Sequence, residues 1–131
     1  MTRETIRRIP ELNNKILRDK AHLRYLREKA TAVPALSVNE RVQTSKKNDR
    51  MKYSDAAVDL EAEIKQKMNE LESLQKEAKE WIGTLDTAFE RRIFLMRLYR
   101  CLTWEEIAEL TGYSSRRILQ IAADVIQNNT E

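Results

Sequence analysis

Apolar residues recur at alternating spacings of three and four along two stretches of this chain, with polar residues between them. The first stretch runs Ile9, Leu12, Ile16, Asp19, Leu23, Leu26, Ala30, Val33, and only Asp19 is out of character. The second runs Ala57, Leu60, Ile64, Lys67, Leu71, Leu74, Ala78, Trp81, and is broken only at Lys67. That period lines the side chains up as one stripe on a helix, the pattern of a coiled-coil seam. The first helix is predicted to start near Pro10, whose missing amide hydrogen suits a first helical position. Pro34 should end it, because a proline disfavours helical geometry in the residue before it. From Pro34 to about residue 53 the chain is polar and without period, and reads as a linker. The second helix is predicted to begin at Ser54 or Asp55 and to stop at Gly83.

Two seams of equal length call for pairing with each other. An antiparallel hairpin brings Val33 near Ala57 and Ile9 near Trp81, and sets Asp19 about one helical turn from Lys67. A parallel arrangement puts Asp19 and Lys67 in one layer, but the linker must then return along the whole helix at ~3.3 Å per residue. The hairpin is preferred. Its seam is thin, since Ala30, Ala57 and Ala78 bury little, and Met68 beside Lys67 makes it wider than two strands require. Self-association is therefore expected, a dimer first of all.

Beyond Gly83 the pattern changes. Thr87 and Glu90 have capping-box spacing and open a third helix. Its apolar positions, Phe89, Ile93, Phe94, Met96, Leu98 and Tyr99, spread too far around the cylinder for a two-helix seam. They suit a small three-helix core, which Trp104 and Leu110 would complete. Thr103 to Ile126, TWEEIAELTGYSSRRILQIAADVI, then reads as a helix-turn-helix. Thr103 and Glu106 form a capping box, and Ala108 is small where the second helix must cross close. Gly112 sits where the turn needs a positive φ. Ser114 caps the next helix, to which Ile107, Ile118, Ile121 and Val125 offer a buried stripe. The expected fold is all-α, with a long N-terminal helical hairpin over 1–83 and a three-helix domain over 84–131.

Composition narrows the function classes. Two glycines, two prolines and 34% charged residues suit long helices. No apolar run reaches the ~18–20 residues that span a bilayer. The N-terminal stretch lacks an apolar segment with a cleavage site, so a cytoplasmic location is expected. A lone cysteine, Cys101, reads as a small buried hydrophobe between Leu98 and Leu102. His22 is the only histidine and reads as a surface residue on a charged helix. No metal site, cofactor loop or catalytic constellation emerges, so the expectation is a protein without enzymatic activity. The net charge of +3 is unevenly spread: residues 1–52 carry +8, 53–86 carry −5, and 87–131 are neutral. The basic third is expected mainly to pair with the acidic third, and otherwise to meet phosphates.

A helix-turn-helix that binds DNA sets its second helix in the major groove, with the N-terminal residues at base edges. Here Ser115, Arg116, Arg117, Leu119, Gln120 and Ala123 are the expected exposed positions. Arginine pairs bidentately with guanine and glutamine with adenine, so Arg116 and Gln120, four apart on one face, are the candidate base readers, with Ser115 beside them. Ser114, Arg117, Arg91 and Arg92 are the candidate phosphate contacts. The bland alternative pairs Arg116 and Arg117 with Glu109 and Asp124.

The stretch LYRCLTWEEIAELTGYSSRRILQI resembles region 4 of bacterial sigma factors, in which an aromatic-Glu-Glu-Ile-Ala segment opens the first motif helix. The whole chain looks like small phage and prophage proteins with such a C-terminus, related to the ArpU-type late transcriptional regulators. That likeness takes in the basic N-terminal helix and the segment ERVQTSKKNDRM, Glu40 to Met51. The resemblance implies double-stranded DNA as partner, with RNA polymerase as a second, and promoter-proximal regulation of transcription through the helix 114–128. Thr111 departs from the apolar residue usual before the glycine, and Arg117 stands where threonine is frequent, so base preference does not carry over. Two other expectations stand beside this one: a small terminase-like protein recognising viral DNA for packaging, and an adaptor docking on polymerase or a phage protein without DNA contact.

Overall fold

The computed structural model describes residues 1–31 and 40–131, and the side chains of all of these except 40–47. Among the described residues five helices follow one another: α1 (Arg3–Thr31), α2 (Glu40–Ile82), α3 (Ala88–Leu98), α4 (Trp104–Thr111) and α5 (Ser115–Asn129). No strand occurs among the described residues, so the fold is all-α.

Both long helices begin earlier than their apolar pattern indicates. The first starts at Arg3 rather than near Pro10, and Thr2 caps it by accepting the Thr5 amide at 3.2 Å. Pro10 therefore lies inside the helix, where it removes one backbone bond. Pro10 is itself buried, beside Ile6 and Ile9 at 4% and 0% exposure. α2 starts at Glu40, so residues 40–53, expected in the linker, are helical. Arg, Lys, Gln, Glu and Met are good helix formers, and no glycine or proline interrupts the run. Periodicity reports which face is buried rather than whether a helix forms. The Pro34 stop, Val33 and the 34–39 part of the linker lie outside the described residues. α2 ends as expected beside Gly83, though through Thr84, whose amide and hydroxyl both donate to the Trp81 carbonyl, not through a left-handed glycine.

The chain divides into two units, residues 1–14 with 69–131, and residues 15–68, and α1 and α2 each run through both. Within the second unit Asp19 pairs with Lys67 and Arg27 with Glu61, so a rising number on α1 meets a falling number on α2. The pairing is antiparallel, and the two polar residues that break the seams answer each other across it. Every described seam residue is at least half-buried. His22 is an exposed surface residue, stacked on Tyr25 with ring centroids 6.1 Å apart.

The first unit holds the larger core. Ile6 and Ile9 from α1, Ala78, Trp81 and Ile82 from α2, and Leu85 pack with Ile93, Phe94, Leu98, Ile107, Ala108, Ile118, Ala122 and Val125. Phe94 is its centre, fully buried, with Trp81 edge-on at 5.1 Å and Trp104 at 6.1 Å. Trp81 also donates its indole N–H to the Asn129 carbonyl at 2.9 Å, tying α2 to the last turn of α5. Three apolar residues fall short of their expected place. Leu110 is 60% exposed, because Ile107 and Ala108 already take the inward face of short α4. Tyr99 keeps its ring at the surface and donates its hydroxyl to the Gln75 carbonyl. Cys101 is half-buried rather than buried, in a turn where it holds φ +53°.

Candidate nucleic-acid interface

The helix-turn-helix rests on three local constraints that the structure satisfies. Thr103 and Ser114 sit in extended backbone, and their hydroxyl oxygens accept the amides of Glu106 at 3.1 Å and Arg117 at 3.2 Å. Each thereby satisfies a donor that the first helical turn leaves unpaired. The Glu106 carboxylate reaches the Thr103 hydroxyl rather than its backbone amide, so only half of the expected box closes. Between the caps, Gly112 takes φ +78°, and its amide donates to the Ala108 carbonyl. Thr87 caps α3 in the same way by accepting the Glu90 amide.

These caps set the faces of the motif. Ile107 and Ala108 of α4 and Ile118, Ala122 and Val125 of α5 turn inward, with Ile121 half-buried beside them. Arg116, Arg117, Leu119, Gln120 and Ala123 are left exposed on α5, while Ser115 is half-buried. Arg116 makes no ion pair among the described residues, so its guanidinium is available. Arg117 reaches Gln120 at 3.3 Å, joining a candidate phosphate contact to a candidate base reader. Neither arginine pairs with Glu109 or Asp124. Arg117 also borders a polar cleft of about 320 Å³ whose lining includes Asp86, Glu90 and Asp124, carboxylates that compete with a phosphate for it.

The other candidate cations divide. Arg92 is exposed, as is Arg100. Arg91 is half-buried and donates to the Leu85 carbonyl at 2.7 Å, closing the turn between α2 and α3. Arg97 is also half-buried. It donates to the Leu102 carbonyl at 2.9 Å and lies 4.8 Å over the Trp104 ring. Burial lowers its pKa, partly offset by Cys101 and Glu105. Burial likewise raises the Cys101 thiol, partly offset by Arg97, which keeps it protonated at neutral pH.

Comparison with protein-family models, curated proteins and solved structures yields no match to this chain.

Two contributors escaped the sequence pattern. Gln75 of α2 donates its amide to the Leu98 carbonyl at 3.0 Å and so satisfies an end group of α3. Tyr113 in the turn packs on Phe89 with ring centroids 4.9 Å apart, bracing the entrance to α5. A long-range cap from a glutamine has no local signature. The aromatic in the turn was visible, but its partner was not.

Electrostatically the motif is two-sided. Glu105, Glu106 and Glu109 are exposed on α4, which carries no cation, whereas the start of α5 presents Arg116, Arg117 and a helix N-terminus. An anion is drawn to the start of α5 and repelled from α4.

Proposed function

We propose that this chain is a DNA-binding transcription regulator that reads the major groove with the first two turns of α5. The observation that carries the reading is the exposed face of that helix. There an unpaired Arg116 guanidinium, Leu119 and Gln120 project from a capped helix whose opposite face is buried. Arginine and glutamine offer the bidentate geometry for guanine and adenine, and leucine offers an apolar contact for a thymine methyl. Ser115 stands at the same end, and Ser114, Arg117 and Arg92 are the phosphate contacts, with Arg91 contributing only if it leaves the Leu85 carbonyl. The sigma region 4 likeness of residues 98–121 supports a role at promoters of phage or prophage type, alongside RNA polymerase.

The test is selection from a pool of randomised duplexes, followed by binding of the enriched sequence. Replacing Arg116 and Gln120 together with alanine is expected to weaken that binding by about 100-fold or more, since each bidentate pair is worth ~1–3 kcal/mol. Affinity should also fall steeply between 50 and 200 mM salt, by orders of magnitude if six or more phosphates are met. Unchanged affinity in the double variant removes the base-reading role.

One observation favours a second reading, an adaptor that docks through α4. Leu110 and Tyr113 are 60% and 48% exposed next to Glu106 and Glu109, a surface suited to a basic protein partner rather than to DNA. Failure to enrich any duplex, with a partner lost on Leu110→Glu, would shift the assignment there.

A further inference from the structure

The unit formed by residues 15–68 has a thin core. Its buried apolar residues are Ile16, Leu23, Leu26, Ala57 and Ile64 among the described residues. Beside that seam lies an open groove of about 660 Å³. Leu23, Ile64 and Met68 contribute its apolar lining, and Met68 remains 44% exposed although the groove would suit it buried.

The rim of the groove is charged in a particular order. On α1, Arg24 is followed four residues later by Glu28; on α2, Glu61 is followed four residues later by Lys65. Opposite charges at that spacing normally meet along one helix. Here neither pair closes: Arg27 takes Glu61, and Arg24, Glu28 and Lys65 make no ion pair among the described residues.

A helix with opposite charges four residues apart is complementary to an antiparallel copy of itself. In such a pairing each arginine meets the other copy's glutamate, and each glutamate the other copy's lysine. The midpoint of the α1 pair is residue 26 and that of the α2 pair is residue 63. Since Arg27 and Glu61 lie side by side on antiparallel helices, these midpoints differ in height by about one residue, or ~1.5 Å along the axis. A single two-fold axis therefore serves both pairs, and it passes through the middle of the groove.

We infer that this groove is a self-association surface, occupied by the same groove of a second copy in a two-fold dimer. Arg24 of each copy meets Glu28 of the other, Glu61 meets Lys65, and the Met68 side chains are covered. An isologous contact of this kind closes after two chains, so the assembly stops at a dimer. The inference does not depend on DNA binding.

Sedimentation equilibrium of the full chain at several concentrations tests it, with circular dichroism confirming the helix content of each variant. The wild type is expected to be dimeric at tens of micromolar. Arg24→Glu sets like charges against each other twice and should weaken dimerisation about tenfold or more, equivalent to ~1.4 kcal/mol. Adding Glu28→Arg to that variant exchanges the two charges and should restore the dimer to within a few-fold. A general loss of helix stability would not be rescued in this way. Met68→Glu should yield monomers with unchanged helix content. A monomeric wild type, an assembly larger than two, or a dimer indifferent to both Arg24→Glu and Met68→Glu overturns the proposal.

Discussion

Gly112 occupies a left-handed backbone conformation, and nothing lies within 4 Å of the position a Cβ would take. A substitution there meets no steric neighbour, so its whole effect comes from the backbone. Gly112→Ala should cost about 1–2 kcal/mol, the ordinary penalty of that conformation for a residue with a Cβ. Gly112→Asn should cost less, because a short polar side chain tolerates it. Urea denaturation of the three proteins reads the difference; equal midpoints for alanine and glycine would show that the turn relaxes to another geometry. This glycine and the three caps were legible in the sequence for a common reason. A hydroxyl three residues before an amide, or a glycine at a turn, is chemistry that operates within four residues. The exposure of Leu110 was not legible, because it depends on which of its neighbours the rest of the core accepts first. Cys101 at φ +53° is the harder case, since no residue around it signals a left-handed turn.

At the scale of elements, the seams were legible and the ends of the long helices were not. The antiparallel pairing followed from two patterns of equal length, but that alignment set Asp19 about one helical turn from Lys67, whereas the two form an ion pair. The early starts of α1 and α2 had no apolar signature, because helix extends wherever propensity is adequate and nothing breaks it. Pro10 makes this testable. A proline in a helix interior costs about 3 kcal/mol through its lost bond and ring clash. Pro10 is buried, and removing its two extra methylenes forfeits about 1.6 kcal/mol of burial. Pro10→Ala should therefore stabilise the protein by about 1 kcal/mol, seen as a higher melting temperature. A lower one would mean that the ring packs better than its area suggests, or that the helix depends on a bend there.

At the scale of the molecule, the core that holds the motif draws on both ends of the chain. Ile9 is fully buried in the same cluster as Phe94, Ile107 and Ile118, although roughly one hundred residues separate them in sequence. Ile9→Ala should destabilise this unit by about 2–5 kcal/mol, the usual range for a buried aliphatic truncation. Amide exchange in α4 and α5 should then accelerate together, despite the substitution lying in α1. Acceleration confined to α1 would show that the N-terminal residues are an appendage of that core. The sequence could not show this membership. The heptad spacing continues past residues 14 and 68, and the two polar breaks, Asp19 and Lys67, pair with each other inside one unit, so they do not mark where one unit hands over to the other.

That discontinuous unit has a consequence for the order in which the protein is made. Ile6 and Ile9 leave the ribosome before residues 15–68, and their partners in α4 and α5 leave after them. Bringing residues 14 and 69 together across 54 intervening residues costs about 3.5 kcal/mol in loop closure if those residues are unstructured. Pairing of α1 with α2 inside the intervening segment meets much of that cost in advance, because an antiparallel hairpin returns its own ends to one place. The hairpin segment can form while α4 and α5 are still being synthesised, whereas the unit that holds the helix-turn-helix must wait for both of them.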